Sequence, residues 1–201
     1  MKNTIWKLCL WNVILLSLFC RVAAAQEEGE EKEDPEAKKF TRVTVRGGTA
    51  TPGQKTLLPI YMTPAEGTKV GRLKLEVTFV SANMKFEKVE RGLAAEMGNV
   101  ELKSEMKQGK NDKGVETTTV TLQTSFSSEP PEDGIPGGVL AYITLQVSDQ
   151  ARPAVIALHT VAEVGELGTN KPLKNLRIAE SNVQVFAPGT QPAISCFFFS
   201  H

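Results

Sequence analysis

The sequence predicts an all-β domain, a two-sheet antiparallel β-sandwich of about nine strands. From Phe40 to Phe186, short runs of alternating apolar and polar residues are separated by clusters of Gly, Pro, Asn and Asp. Such alternation places every second side chain on the same face of a strand. Helical periodicity is weak after residue 25, and only "VERGLAAEM" is expected to form one or two turns. Many short strands without helices favour two packed sheets.

Nine segments carry the strand pattern. In "GGVLAYITLQV", Val139, Ala141 and Ile143 fall on one side, while Leu140 and Tyr142 fall on the other. Because Pro59 has no N–H to donate, we expect it at a sheet edge or a bulge. The predicted strands are "TRVTVRG", "KTLLPIYM", "RLKLEVTF", "MKFEKVE", "NVELKSEM", "ETTTVTLQTSF", "GGVLAYITLQV", "AVIALHTVAEV" and "SNVQVFA".

Residues 1–25 are predicted to be a secretory signal peptide. Two lysines precede an apolar run from Leu8 to Cys20, and the segment ends in three alanines, a small-residue cleavage pattern. The run is about 13 residues long, shorter than the roughly 20 that a membrane-spanning helix needs. We expect cleavage before Gln26, no transmembrane span in the mature chain, and a secreted, periplasmic or cell-surface location. An uncleaved anchor and acylation at Cys20 are the alternatives.

The mature chain divides into a charged leader, one domain and a tail. Residues 26–39 hold seven carboxylates and three lysines without a large apolar residue, which predicts a disordered acidic linker. Residues 40–187 form the predicted sandwich. The tail, residues 188–201, is expected to be extended because it contains two prolines. Cys196 and the three phenylalanines after it are expected to pack on the domain, dock into a partner, or anchor the chain through the thiol.

Charge and cysteine content exclude two classes of protein. Cleavage would leave 20 of the 23 basic residues against 23 acidic ones, so no basic surface for nucleic acid is predicted. Cys9 and Cys20 would leave with the signal peptide, and Cys196 would be the single remaining thiol. An internal disulfide framework is therefore excluded.

No residue pattern indicates catalysis, a cofactor or a metal. His159 and His201 are the two histidines, and His159 is expected at an ordinary sheet position within "VIALHTVAEV". No serine-hydrolase, zinc-protease, P-loop or dinucleotide motif occurs. Cys196 and His201 are two possible ligands, whereas structural zinc takes four, and Asp112 is expected in a plain turn. We therefore expect a protein that is not an enzyme and binds no cofactor.

Three stretches together resemble the cohesin family: "VTVRGGTATPGQKTLLPIYM", "GRLKLEVTFVSANMKFEKVERG" and "GGVLAYITLQV". The likeness covers most of residues 41–187. It implies a nine-stranded jelly-roll sandwich that binds a protein, a dockerin-like module or another surface protein, and helps to assemble polysaccharide-degrading complexes outside the cell. Related folds include carbohydrate-binding modules, so a polysaccharide ligand and a structural subunit are the alternatives. The chain departs from the family after Phe79, where Val80 replaces the usual Asp.

The resemblance also implies a partner-binding surface. If "GGVLAYITLQV" matches the family's eighth strand, its outward side chains lie on the partner-binding sheet, together with the outward positions of the third and sixth strands. The alternative is that Leu140 and Tyr142 are covered by the chain's own loop or tail. The predicted surface contains Arg72, Lys74, Glu76, Thr119, Thr121, Gln123, Leu140, Tyr142 and Thr144.

Overall fold

A computed structural model describes residues 37–169 and 171–190. The predicted signal peptide, residues 26–36 of the acidic linker and residues 191–201 of the tail, with Cys196, lie outside the described residues. Within these ranges the chain forms eleven strands, one five-residue helix, α1 (Leu93–Met97), and a 3₁₀ turn at Ala37–Lys39. The strands are β1 (Thr41–Val45), β2 (Gly48–Ala50), β3 (Lys55–Thr63), β4 (Val70–Val80), β5 (Met84–Arg91), β6 (Val100–Lys110), β7 (Glu116–Phe126), β8 (Gly138–Val147), β9 (Ala154–Glu166), β10 (Leu176–Ala179) and β11 (Ser181–Val185).

The strands form two sheets. One contains five strands in the order β10-β1-β3-β8-β5, and the other contains six in the order β2-β11-β9-β4-β7-β6. Consecutive strands lie in opposite sheets throughout, except for β6 and β7, which are neighbours in the six-stranded sheet. Repeated crossing between two sheets is typical of a jelly roll. The predicted all-β sandwich is therefore confirmed.

The sheets differ from the prediction in two short strands. Each of the nine predicted segments forms a strand, and these nine pair with one another in antiparallel fashion. The two additional strands, β2 and β10, pair in parallel with β11 and β1. Both sheets are consequently mixed. Segments of three and four residues are too short for alternation to identify them from sequence.

The core lies between the sheets and is built from the inward side chains of every long strand. In β4, Leu73, Leu75, Val77 and Phe79 are all at most 2% exposed, as their alternation predicts. The opposite sheet contributes inward side chains from β3 and β8 to the same apolar cluster: Leu58, Ile60, Met62, Ala141, Ile143, Leu145 and Val147. Burial of these side chains supplies most of the stabilisation of such a fold.

Pro59 lies just past the end of the pairing between β1 and β3, so its missing N–H does not interrupt the ladder between these strands. In β3 it pairs with Tyr142 of β8, and the register shifts just after it, between Ile60 and Tyr61. On the other side β1 ends at Val45, which pairs with Ile60. Beyond that point the Pro59 carbonyl accepts a bond from the N–H of Arg46 at 2.8 Å. The proline thus occupies a local edge beside a bulge, as its chemistry requires.

Candidate functional site

The nine residues predicted to form one surface lie on two different sheets. Leu140, Tyr142 and Thr144 belong to β8 in the five-stranded sheet, whereas the other six belong to β4 and β7 in the six-stranded sheet. The outer faces of the two sheets of a sandwich point in opposite directions. The prediction of a single surface is therefore wrong, because β8 pairs with β3 and β5 rather than with β4.

Leu140 does not point outward. The register of β3 against β8 shifts between Ile60, which pairs with Ala141, and Tyr61, which pairs with Val139. Leu140 is the extra residue of a β-bulge, so the alternation of side chains changes phase there. Leu140 and Ala141 are both 0% exposed and belong to the core.

Thr144 and Tyr142 share the outward phase of β8 but differ in exposure. Thr144 stands between Leu57 and Lys88 of the flanking strands and is only 6% exposed, so it offers little to a partner. Tyr142 is partly buried, between Pro59 and Glu90. Of the three predicted positions in β8, only Tyr142 retains accessible surface of useful size.

The six predicted residues of β4 and β7 do share one face, on the outside of the six-stranded sheet. Three cross-strand rows run over it from β9 through β4 and β7 to β6. We call the outer side of the first three strands the β9-β4-β7 face. The rows are Glu163, Lys74, Gln123 and Lys103; Val161, Glu76, Thr121 and Glu105; and His159, Thr78, Thr119 and Lys107.

Polar contacts organise the middle of this face. The Lys74 ammonium donates to the Glu76 carboxylate at 2.9 Å, and this hydrogen bond, with the charges of Glu76 and Glu163, raises the pKa of Lys74 above its ordinary value. The hydroxyls of Thr78 and Thr119 lie 2.8 Å apart and share a hydrogen bond. Lys74 also lines an open recess of about 290 Å³, together with Arg72 and Gln123.

Strand β9 adds functional candidates that the sequence analysis did not select. Val155 and Val161 are 65% and 45% exposed, and Ala157 and His159 between them are also exposed. Val155, Ala157 and Val161 make the outer side of β9 largely apolar, with Val161 and His159 at the β9 end of two of the cross-strand rows. Their signal was present in "AVIALHTVAEV", where both alternating sets are largely apolar, so the sequence did not reveal which set faces outward.

The opposite face, on the five-stranded sheet, carries the two tyrosines of the domain. Tyr61 and Tyr142 lie outward on neighbouring strands, and Tyr142 stands opposite Pro59. The Arg46 guanidinium lies 5.0 Å from the centre of the Tyr61 ring, a cation–π contact. Leu57, on the same side of β3, is 51% exposed. We call this surface the tyrosine face.

The described ranges contain no group of three or more His, Cys, Asp or Glu side chains placed to hold a metal ion. His159 lies exposed in β9, the sheet position expected for it. Across residues 37–169 and 171–190, no helix combines the length and apolar character needed to cross a membrane.

Comparison with solved structures identifies the fold. The seventh type I cohesin of ScaB from Pseudobacteroides cellulosolvens is 16% identical, with a TM-score of 0.55, over 81% of this chain and 99% of the cohesin. The third cohesin of ScaC from Acetivibrio cellulolyticus, solved with the ScaB dockerin, is 17% identical, with a TM-score of 0.55, over 74% and 100%.

A non-cellulosomal cohesin from the archaeon Archaeoglobus fulgidus is similar at 15% identity and a TM-score of 0.50, over 73% of this chain and 91% of that one. No family model matches the sequence, and no curated protein matches it. At these identities the likeness concerns the fold alone. The domain has a cohesin-like fold, as the three sequence stretches implied.

Proposed function

We propose that this cohesin-like domain is a non-catalytic module that binds a protein partner through its β9-β4-β7 face. The observation that carries the proposal is that exposed apolar side chains of β9, Val155, Ala157 and Val161, share this face with rows of polar and charged side chains. Apolar surface surrounded by polar groups with satisfied contacts is typical of protein interfaces.

The fold supports a partner of the dockerin type. Cohesins with the same fold were solved in complex with dockerins, including one from Acetivibrio cellulolyticus and one from Clostridium thermocellum. The archaeal neighbour is described as non-cellulosomal, so the fold also occurs outside that kind of assembly. We propose a dockerin-like or other surface protein as the partner.

The predicted export signal favours a role outside the cell. With residues 1–25 removed, the acidic segment at 26–39 would form a charged leader ahead of the domain. Assembly of extracellular polysaccharide-degrading complexes is the process that the cohesin resemblance favours.

The test replaces one exposed aliphatic side chain on each outer face with a charge. Val161→Glu changes the β9-β4-β7 face, and Leu57→Glu changes the tyrosine face at a residue of similar exposure, 51% against 45%. The ligands are purified proteins from the source genome that contain calcium-loop repeats of the dockerin type, and binding is measured by surface plasmon resonance. We expect Val161→Glu to weaken binding at least tenfold, while Leu57→Glu leaves it unchanged.

The matched pair makes the outcome specific, because each variant adds one negative charge to an exposed strand position. Unchanged binding by Val161→Glu would contradict the proposal. Loss of binding by Leu57→Glu alone would place the partner on the tyrosine face. Circular dichroism of both variants verifies that the sandwich is intact.

A carbohydrate ligand is the second candidate, and the tyrosine face favours it. Tyr61 and Tyr142 lie on adjacent strands, next to Pro59, and each is partly exposed; aromatic rings on a protein surface are the usual platform on which sugars stack. The same two variants distinguish the candidates on a glycan array. Sugar binding that is lost in Leu57→Glu and retained in Val161→Glu would support this alternative.

A further inference from the structure

Strand β6 is an edge strand with a long, unpaired side. It pairs with β7 over eleven residues, Val100–Lys110, and among the described residues no strand pairs with its other side. Every residue of β6 after Leu102 is exposed. Such an edge is a template for another strand unless the protein blocks it.

The direction of the free backbone groups follows from the two ends of the ladder. The Asn99 carbonyl accepts from the N–H of Ser127 at 3.1 Å, and the N–H of Asn111 donates to the Val115 carbonyl at 3.0 Å. Hydrogen-bonded pairs alternate in an antiparallel ladder, so the odd-numbered residues of β6 bond to β7. The even-numbered residues, including Leu102, Ser104 and Met106, therefore direct their N–H and C=O groups to the free side.

The charged side chains on the outer face of β6 alternate in sign, so a second copy of the strand in antiparallel orientation can present an opposite charge at each of these positions. On the outer face, Glu101, Lys103, Glu105 and Lys107 alternate in sign. On the other face, Leu102 is partly buried and Met106 is 49% exposed. Ser104 lies at the centre of both sets.

We propose that β6 pairs with β6 of a second copy of this chain, antiparallel and around a twofold axis at Ser104. In this register Lys103 faces Glu105 of the second copy, and Glu101 faces Lys107. Leu102 faces Met106, so the exposed methionine gains an apolar neighbour. The free backbone groups of the even-numbered residues then pair with one another, and the two six-stranded sheets become continuous.

The charges select this register against its neighbours. Centring the axis on Lys103 or on Glu105 places like charges opposite each other, Lys103 with Lys103 or Glu105 with Glu105, which is unfavourable. A register in which odd-numbered residues of one copy face even-numbered residues of the other would bring the outer face of one strand beside the inner face of its partner. A twofold axis at Leu102 or at Met106 would leave two of the four charged side chains of the outer face without an oppositely charged residue facing them.

The same charges explain why the edge does not recruit strands at random. Lysines on an edge strand ordinarily repel an approaching strand or leave it unpaired. Here the lysines alternate with glutamates, so a strand with the reversed pattern is accepted and others are opposed. The chain supplies such a strand in a second copy of itself.

The test measures self-association of the full chain, expressed from its complete reading frame, by sedimentation equilibrium. We expect a monomer–dimer equilibrium that K103E and E105K each weaken at least tenfold, because each places like charges opposite each other. The double variant K103E/E105K has the composition of the original chain and restores the pairing, so it is expected to dimerise again. A mixture of the two single variants is expected to form heterodimers.

K174E is the matched control, since it makes the same charge change at an exposed residue outside β6. A monomer at all concentrations, or a dimer unaffected by K103E, would overturn the proposal.

If circular dichroism shows that K103E is unfolded, a cysteine variant tests the pairing of the two β6 strands instead. Opposed residues of a hydrogen-bonded pair lie close enough for a disulfide. Oxidised S104C is therefore expected to form a disulfide between the introduced thiols of the two copies, whereas Q108C is not, because the proposed register places the two copies of Gln108 far apart. Absence of the S104C disulfide on a non-reducing gel overturns the register.

Discussion

Thr144 and Thr118 show how the same residue type is buried in two chemically different ways. Both side chains are nearly inaccessible, at 6% and 4% exposure. The Thr118 hydroxyl lies 2.8 Å from the Ser81 hydroxyl and shares a hydrogen bond with it. The Thr144 hydroxyl has no hydrogen-bond partner among the described residues. A buried hydroxyl without a partner loses its hydration without compensation.

Replacement of each threonine by valine is expected to have opposite effects on the free energy of unfolding. Thr144→Val removes an unpaired hydroxyl at nearly constant shape, so stability is expected to stay the same or to rise by up to about 1 kcal/mol. Thr118→Val leaves Ser81 without its partner and is expected to cost about 1–2 kcal/mol. Urea denaturation measures both, and equal losses would show that Thr144 is hydrogen-bonded.

At the scale of the element, the bulge in β8 decides which side chains of this strand reach the core. Before the bulge the outward side chain is Val139, and after it the outward side chain is Tyr142. Strict alternation would place these two residues on opposite faces. The extra residue, Leu140, has no partner in β3, which allows both Val139 and Tyr142 to face outward, and its own side chain is buried in the core.

Truncation of two adjacent residues tests the phase change. Leu140→Ala is expected to lower the free energy of unfolding by about 2–5 kcal/mol, because it leaves a cavity in the core. Val139→Ala, at a partly exposed position, is expected to cost less than about 1 kcal/mol. Chemical denaturation of both variants gives the comparison. A larger loss in Val139→Ala would mean that β8 alternates without a bulge.

At the scale of the whole molecule, the N-terminal prediction has a direct test. If residues 1–25 are a cleaved export signal, the chain recovered from outside the cytoplasm begins at Gln26. Mass spectrometry of the intact protein measures this, with Ala25→Arg as a variant that removes the small residue before the cut. A mature chain that begins at Met1 would contradict the prediction and support a retained anchor.

The whole-molecule arrangement also explains which parts of the site were predictable. Arg72, Lys74 and Glu76 were placed outward, and the structure puts them on the same side of β4. Their alternation with buried leucines and valines is a local property of one strand, so it is readable in the sequence. The grouping with Tyr142 was not readable, because it requires knowing that β8 and β4 lie in different sheets.

The sequence alone determined the all-β class, nine of the strands within the described ranges, and the inward and outward sets of strands such as β4. It did so because a repeat of two residues is imposed by the backbone of each strand without reference to the rest of the chain. Only the tertiary structure decided the pairing of distant strands, the bulge that turns Leu140 inward, and the face on which β9 exposes its valines. Those features depend on hydrogen bonds between residues far apart in the chain, for example between β4 and β9, and no local pattern contains that information.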